Sequence, residues 1–161
     1  MNVKKILSLA ASIIKLFIII LLFTSNSKAE EKNIKYYSYD KGILSLMYHR
    51  FNENKYPSTN IQMNIFKEQI GIIRNLKYNF YDPIDLEKNF QDVKTEKKIL
   101  ITIDDAFSSF YEFAWPYLKK ERIPFILFVS TESVGKNGYM NWDQIKELEK
   151  ENTVQIGNHS H

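Results

Sequence analysis

The sequence predicts an α/β protein in which parallel strands alternate with outer helices. Two observations predict it. Short runs rich in Ile, Leu, Val and Phe recur at Ile43–Tyr48, Lys97–Ile103, Phe125–Val129 and Thr153–Ile156, each too short for an ordinary helix. Stretches with helical spacing of apolar residues lie between them. The order β-α-β-α-β-α-β with continuous apolar strands indicates a parallel sheet or barrel with helices outside.

In chain order, Gly42 precedes the first strand, which ends at His49. Phe51 to Asn60 carries Asn, Pro and Ser and reads as a loop. A helix follows from Asn64, with Phe66, Ile70, Ile73 and Lys77 on one stripe and Ile65, Ile72 and Leu76 beside it. Asn64 is the candidate cap. Asn79–Pro83 is a short extended piece, and Ile84 to Asn89 a turn or short helix. After the central strand, Ala106 to Arg122 reads as helical, with Phe107, Phe110, Tyr111, Ala114, Tyr117 and Leu118 inward. Pro116 predicts a kink or a break there. Gly135 to Gly138 is a loop, and Asn141 or Asp143 caps a helix through Glu149. Trp142 is expected in the core, although Tyr139 and Trp142 are also faces on which a sugar ring could stack.

The start of the chain is of another kind. Lys4 and Lys5 precede an apolar stretch, Ile6 to Phe23, interrupted only by Lys15, and Ser27-Lys28-Ala29 offers small residues where a signal peptidase reads. Residues 1–29 are therefore expected to be a signal peptide or a membrane anchor, 30–41 a polar lead-in, and 42–161 the folded domain. Export to the periplasm, cell envelope or extracellular space follows, with membrane association through the N-terminal segment if it stays attached. Residues 1–29 hold four lysines and no acid, so removing them takes the formal charge from +3 to −1. The basic balance belongs to the leader and gives no support for nucleic-acid binding. With no cysteine, the chain has neither a disulfide nor a lipoprotein anchor.

Chemistry-bearing residues fall where strands end. Lys98-Ile-Leu-Ile-Thr-Ile-Asp104-Asp105 places two acids after a buried run, and Val154-Gln-Ile-Gly-Asn-His159-Ser-His161 places imidazoles after another. In parallel α/β folds, ligands and chemistry collect at the carboxyl ends of strands. One Asp there often does no more than cap the next helix. Of two in succession the cap explains one, and their side chains diverge, which suits a split between holding a cation and taking a proton. In an extended chain His159 and His161 face the same way. His49 ends the first strand and reaches the same rim.

Ile103-Asp104-Asp105, Pro124-Phe-Ile-Leu-Phe-Val129 and Ile156-Gly157-Asn158-His159-Ser160 together resemble the polysaccharide deacetylases, the NodB-homology carbohydrate esterases. Leu46-Met-Tyr48-His49-Arg50-Phe51 is similar to the start of the branch with exported poly-N-acetylglucosamine deacetylases. The resemblance runs from about Ile43 onward. It implies the N-terminal portion of a distorted (β/α)7-type barrel, a divalent metal, commonly zinc, and an N-acetylated polysaccharide as partner. It implies Asp104 as general base and Asp105 and His159 as metal ligands. The family's second ligating histidine falls at position 163, beyond the last residue, and His161 occupies a slot between the two. His49 and His161 are therefore assigned to the rim. Ala106 stands where the family usually has glycine. The family's later motifs, with a base-orienting Arg and an acid His, are not in these 161 residues. A whole barrel takes roughly 200 residues or more. The expectation is a metal-dependent N-deacetylase truncated after its first metal histidine and inert as given. The alternatives are a non-catalytic glycan- or metal-binding remnant, and a magnesium-dependent phosphoryl-transfer domain, against which the leader and His159 argue.

Overall fold

The computed structural model describes residues 42–85 and 96–161, all within one compact unit, Tyr39–His161. The leader and the whole lead-in, residues 1–41, lie outside the described residues, as do residues 86–89 of the turn expected from Ile84. Among the described residues no helix is long and apolar enough to cross a membrane.

The chain runs β1 (Gly42–Tyr48), β2 (Arg50–Phe51), β3 (Asn60–Ile61), α1 (Met63–Asn75), β4 (Asn79–Phe80), β5 (Lys97–Asp104), α2 (Trp115–Lys120), β6 (Phe125–Ser130), α3 (Trp142–Glu149) and β7 (Val154–Ser160). One sheet has the order β1-β5-β6-β7, parallel throughout, so the expected α/β fold is present. β1 takes one edge of β5 from Lys97 to Ile103. The other edge is shared: β4 pairs with Lys98 and Ile99, β6 with Ile101 to Asp104. β2 and β3 form a separate two-strand parallel ladder inside what reads as a loop.

Alternation along the strands divides the core. Ile99, Ile101 and Ile103 of β5 and Phe125, Leu127 and Val129 of β6 join the main cluster with Phe66, Ile70, Phe110 and Leu118. Leu100 and Ile126 turn to the opposite face with Tyr81, Ile43 and Phe128. Both faces of the central strands are therefore buried, which is why their sequence is continuously apolar.

Several local expectations are corrected. The first helix is not capped by Asn64. Gln62 is its cap residue and makes no side-chain cap bond, while Asn52 Oδ1 accepts from Met63 N at 2.9 Å. The cap comes from a loop far back in the chain, which a local pattern cannot show. Lys77 lies past the helix in a left-handed conformation (φ 58°) and so leaves the stripe. After β5 the helix does not begin at Ala106. Asp105 and Ala106 form a turn, and a π-helical stretch, Phe110–Ala114, leads into α2. Trp115 N bonds back five residues to Phe110 O. This wider turn absorbs the backbone bond that Pro116 cannot donate. Trp142 is 50% exposed, and Met140 is the buried residue beside it. Asn141 caps α3 with a reciprocal bond to Gln144.

Candidate active site

β5 ends on Asp104, and alternation places its side chain on the face of Leu100 and Thr102, away from the helices. The residue is 7% exposed. Its Oδ1 is buried with no hydrogen-bond partner. Its Oδ2 lies 3.5 Å from His159 Nε2 and 3.9 Å from His49 Nε2. Burial pushes its carboxyl above the usual range; His49 and His159 oppose that shift and Asp105 adds to it. An acid in this state accepts a proton more readily than an ordinary carboxylate.

The next two residues are both left-handed, Asp105 at φ 70° and Ala106 at φ 54°. The turn is tied from outside, since Met140 N donates to Ala106 O at 2.8 Å and Ser108 N to Gly138 O at 2.9 Å. It swings the Asp105 carboxylate away from Asp104, and Asp105 Oδ1 accepts from Ser130 Oγ at 2.7 Å. The two acids thus part, one to the imidazoles and one to a serine.

β7 reaches further than its apolar run suggests, so His159 lies within the strand and not after it. The register with β6 shifts there: Val129 pairs with Asn158 and Ser130 with Ser160, leaving His159 as an extra residue. Such a bulge breaks the two-residue alternation and re-aims a side chain. As a result the consecutive Asn158 and His159 both line one depression of about 650 Å³, with Asp104, Thr102, Met47 and Phe128. His161 goes elsewhere, its Nδ1 lying 3.0 Å from Thr131 Oγ1. The two imidazoles therefore do not share the Asp104 contact, because the bulge and the strand end fall between them.

The structure brings Asp104, His49 and His159 together. Sequence reasoning missed Ser130, Thr131 and Ser160, whose hydroxyls lace the same rim. The signal was present: Ser130-Thr131 follows an apolar strand as directly as the acids do.

As donors for a divalent cation, the described residues fit in kind. Asp104 keeps an orphaned oxygen, Asp105 bonds Ser130 through one oxygen, and His159 is a neutral-ligand type with its second nitrogen 3.3 Å from Ser160 Oγ. In number they fall short, since among the described residues no group of three or more His, Cys, Asp or Glu is placed to hold a metal ion.

Acid and imidazole groups thus meet on the carboxyl rim of a parallel sheet in an α/β protein. The chain is similar to the polysaccharide deacetylases: residues 91–161 match the family described as polysaccharide deacetylase. The chain is 29% identical over 105 residues to YxkH of Bacillus subtilis (strain 168), assigned by name to the polysaccharide deacetylases; the match covers 64% of this chain and 37% of YxkH. IcaB from Ammonifex degensii superimposes with a TM-score of 0.66 at 32% identity, over 74% of this chain and 53% of that one. The Streptococcus pyogenes deacetylase PplD, solved with acetate, shares the fold with a TM-score of 0.62 at 22% identity, over 74% and 57%. The chain thus spans between 37% and 57% of the length of these relatives.

Proposed function

We propose that the described residues form the acid-bearing part of a metal-dependent site that hydrolyses N-acetyl groups on an envelope or extracellular polysaccharide. The observation that carries this is Asp104: a buried carboxylate with an unbonded oxygen and a raised affinity for protons, beside two imidazoles at the edge of a depression. Hydrolysis adds the oxygen of water to the acetyl carbon and breaks the C–N bond, giving acetate and an amine. Asp104 takes the proton of the attacking water at Oδ1. His49 and His159 steady the carboxylate beside them. Asp105 and His159 are the residues that would hold a divalent ion such as zinc, which supplies Lewis acidity toward water and an acyl carbonyl. Met47, Phe128 and Asn158 offer a mixed apolar and polar wall for the sugar.

Two ligands are one fewer than a catalytic zinc keeps. This count favours a second reading, in which these residues alone bind glycan or metal without turnover. The test is acetate release from N-acetylglucosamine oligomers with added zinc, by the 161-residue chain and by a chimera in which residues 42–161 replace the matching part of YxkH. The expected result is an inert short chain and an active chimera silenced by Asp104→Asn. Turnover that survives Asp104→Asn would overturn the assignment. Export is part of the proposal, resting on Lys4, Lys5, the apolar stretch and Ala29. Mass spectrometry of secreted protein is expected to find Glu30 first; an intact Met1 on freely soluble secreted protein would contradict it.

A further inference from the structure

Arg50 joins two segments of the rim that are distant in sequence. It follows His49, whose ring lies beside Asp104, and it begins β2. Its guanidinium carbon lies 3.5 Å from the centre of the Phe107 ring and 4.0 Å from that of Tyr56. One guanidinium nitrogen donates to Glu53 Oε2 at 2.8 Å. The side chain is 14% exposed, so a full charge sits largely out of water against two aromatic faces and one carboxylate.

Phe107 is the next residue after the left-handed pair Asp105 and Ala106. It is buried, its ring lies 4.8 Å from that of Tyr139, and its backbone forms an antiparallel bridge with Tyr139. Phe51 N donates to Ser109 Oγ at 3.2 Å, so β2 meets the segment after the turn a second time. Two successive left-handed residues that are not glycine are unfavourable on their own, and persist only where the chain is fixed on both sides of them. On one side β5 does this. On the other, Phe107 is the first anchored side chain.

We propose that Arg50 is a positioning residue: by stacking on Phe107 it holds the Asp105–Ala106 turn left-handed and so sets the Asp105 carboxylate beside Ser130. That Asp105 serves a reaction rests on the function proposed above; the hold on the turn does not. The flat face of the guanidinium carries the effect. A lysine keeps the charge and can reach Glu53, but its compact, strongly hydrated ammonium has no plane to lay on a ring.

The test is made on the 161-residue chain. One-bond Cα–Hα couplings of Asp105 and Ala106 report whether each backbone is left-handed. Hydrogen exchange at Ser108 and Met140, whose N–H groups donate to Gly138 O and Ala106 O, reports how firmly the turn is tied. Arg50→Lys is expected to move both couplings toward right-handed values. It is expected to speed exchange at Ser108 and Met140 about tenfold, while Ile101 and Leu127 in the paired strands exchange as in the parent. Glu53→Gln keeps the stack and an acceptor for the guanidinium, and is expected to leave every reading at its parent value. On a Phe107→Leu background, which has no ring to stack on, Arg50→Lys is expected to change exchange at Ser108 and Met140 by less than about twofold. Parent couplings and parent exchange in Arg50→Lys overturn the proposal. Exchange quickened equally at Ile101 and Leu127 overturns it too, by making Arg50 a general stabiliser of the fold. An equal response to Glu53→Gln overturns it by assigning the effect to the ion pair. If Phe107→Leu does not fold, the Arg50 and Glu53 variants decide. None of these readings uses acetate release, so they stand or fall apart from the proposed hydrolysis.

Discussion

Ala106 is the residue at which the cost of the site is easiest to measure. A side chain held at φ 54° places its Cβ against the following carbonyl, a strain of roughly 1–2 kcal/mol. Glycine escapes it but loses more backbone freedom on folding, about 0.5–1 kcal/mol. Ala106→Gly is therefore expected to raise stability by about 0.5 kcal/mol or more, read as a higher urea midpoint at unchanged slope. A lower midpoint would show that the methyl group, 1% exposed, gains more from packing than the turn costs it. The same turn explains why the roles of the two acids could be separated but not aimed from sequence. Adjacent residues diverge in any backbone, so a split was legible. That Asp105 would meet Ser130 depends on two successive left-handed residues, an Asp, which visits that conformation only occasionally, and an Ala, which rarely does.

At the level of elements, the strands were legible because burial on both faces makes them apolar throughout, and α3 was legible because its capping box lies in four consecutive residues. What escaped was set by partners distant in sequence: Asn52 over the start of α1, and the register against β6 that turns His159 into the depression. β7 shows the point in energetic terms. A Cβ on Gly157 would lie 2.7 Å from two ring atoms of Phe128, so the ring occupies the space a side chain would need. Phe128 is also part of the depression wall. Gly157→Ala is expected to cost about 1–3 kcal/mol by forcing the ring or the strand to move. Phe128→Leu in the same chain removes the obstructing ring atoms, so the double variant is expected to be more stable than the sum of the two single losses. Strict additivity in the urea midpoints would place the cause of the loss elsewhere.

For the whole molecule the question is why a buried acid with an orphaned oxygen persists at the meeting point of three strands. A structural carboxylate is held ionised by partners and stabilises the fold as pH rises. Asp104 is in the opposite state. Burial raises its folded value above the unfolded one, so its contribution is most favourable below the unfolded value and is lost as pH rises through the folded one. Above the folded value the ionised group weighs against folding. Asn cannot ionise, so Asp104→Asn is expected to gain stability relative to the parent as pH rises from the unfolded value through the folded one, and to hold that gain beyond it. The measurement is a series of urea midpoints for parent and variant across that range, with chelator present so that no ion favours either. A variant that loses ground as pH rises would mean that His49 and His159 outweigh burial, and that Asp104 is the centre of a structural ion pair. The expected result carries a functional consequence. A substitution that strengthens the fold while removing the proton acceptor is the signature of a residue kept for chemistry at the expense of stability, and in the YxkH chimera the same substitution is expected to abolish acetate release.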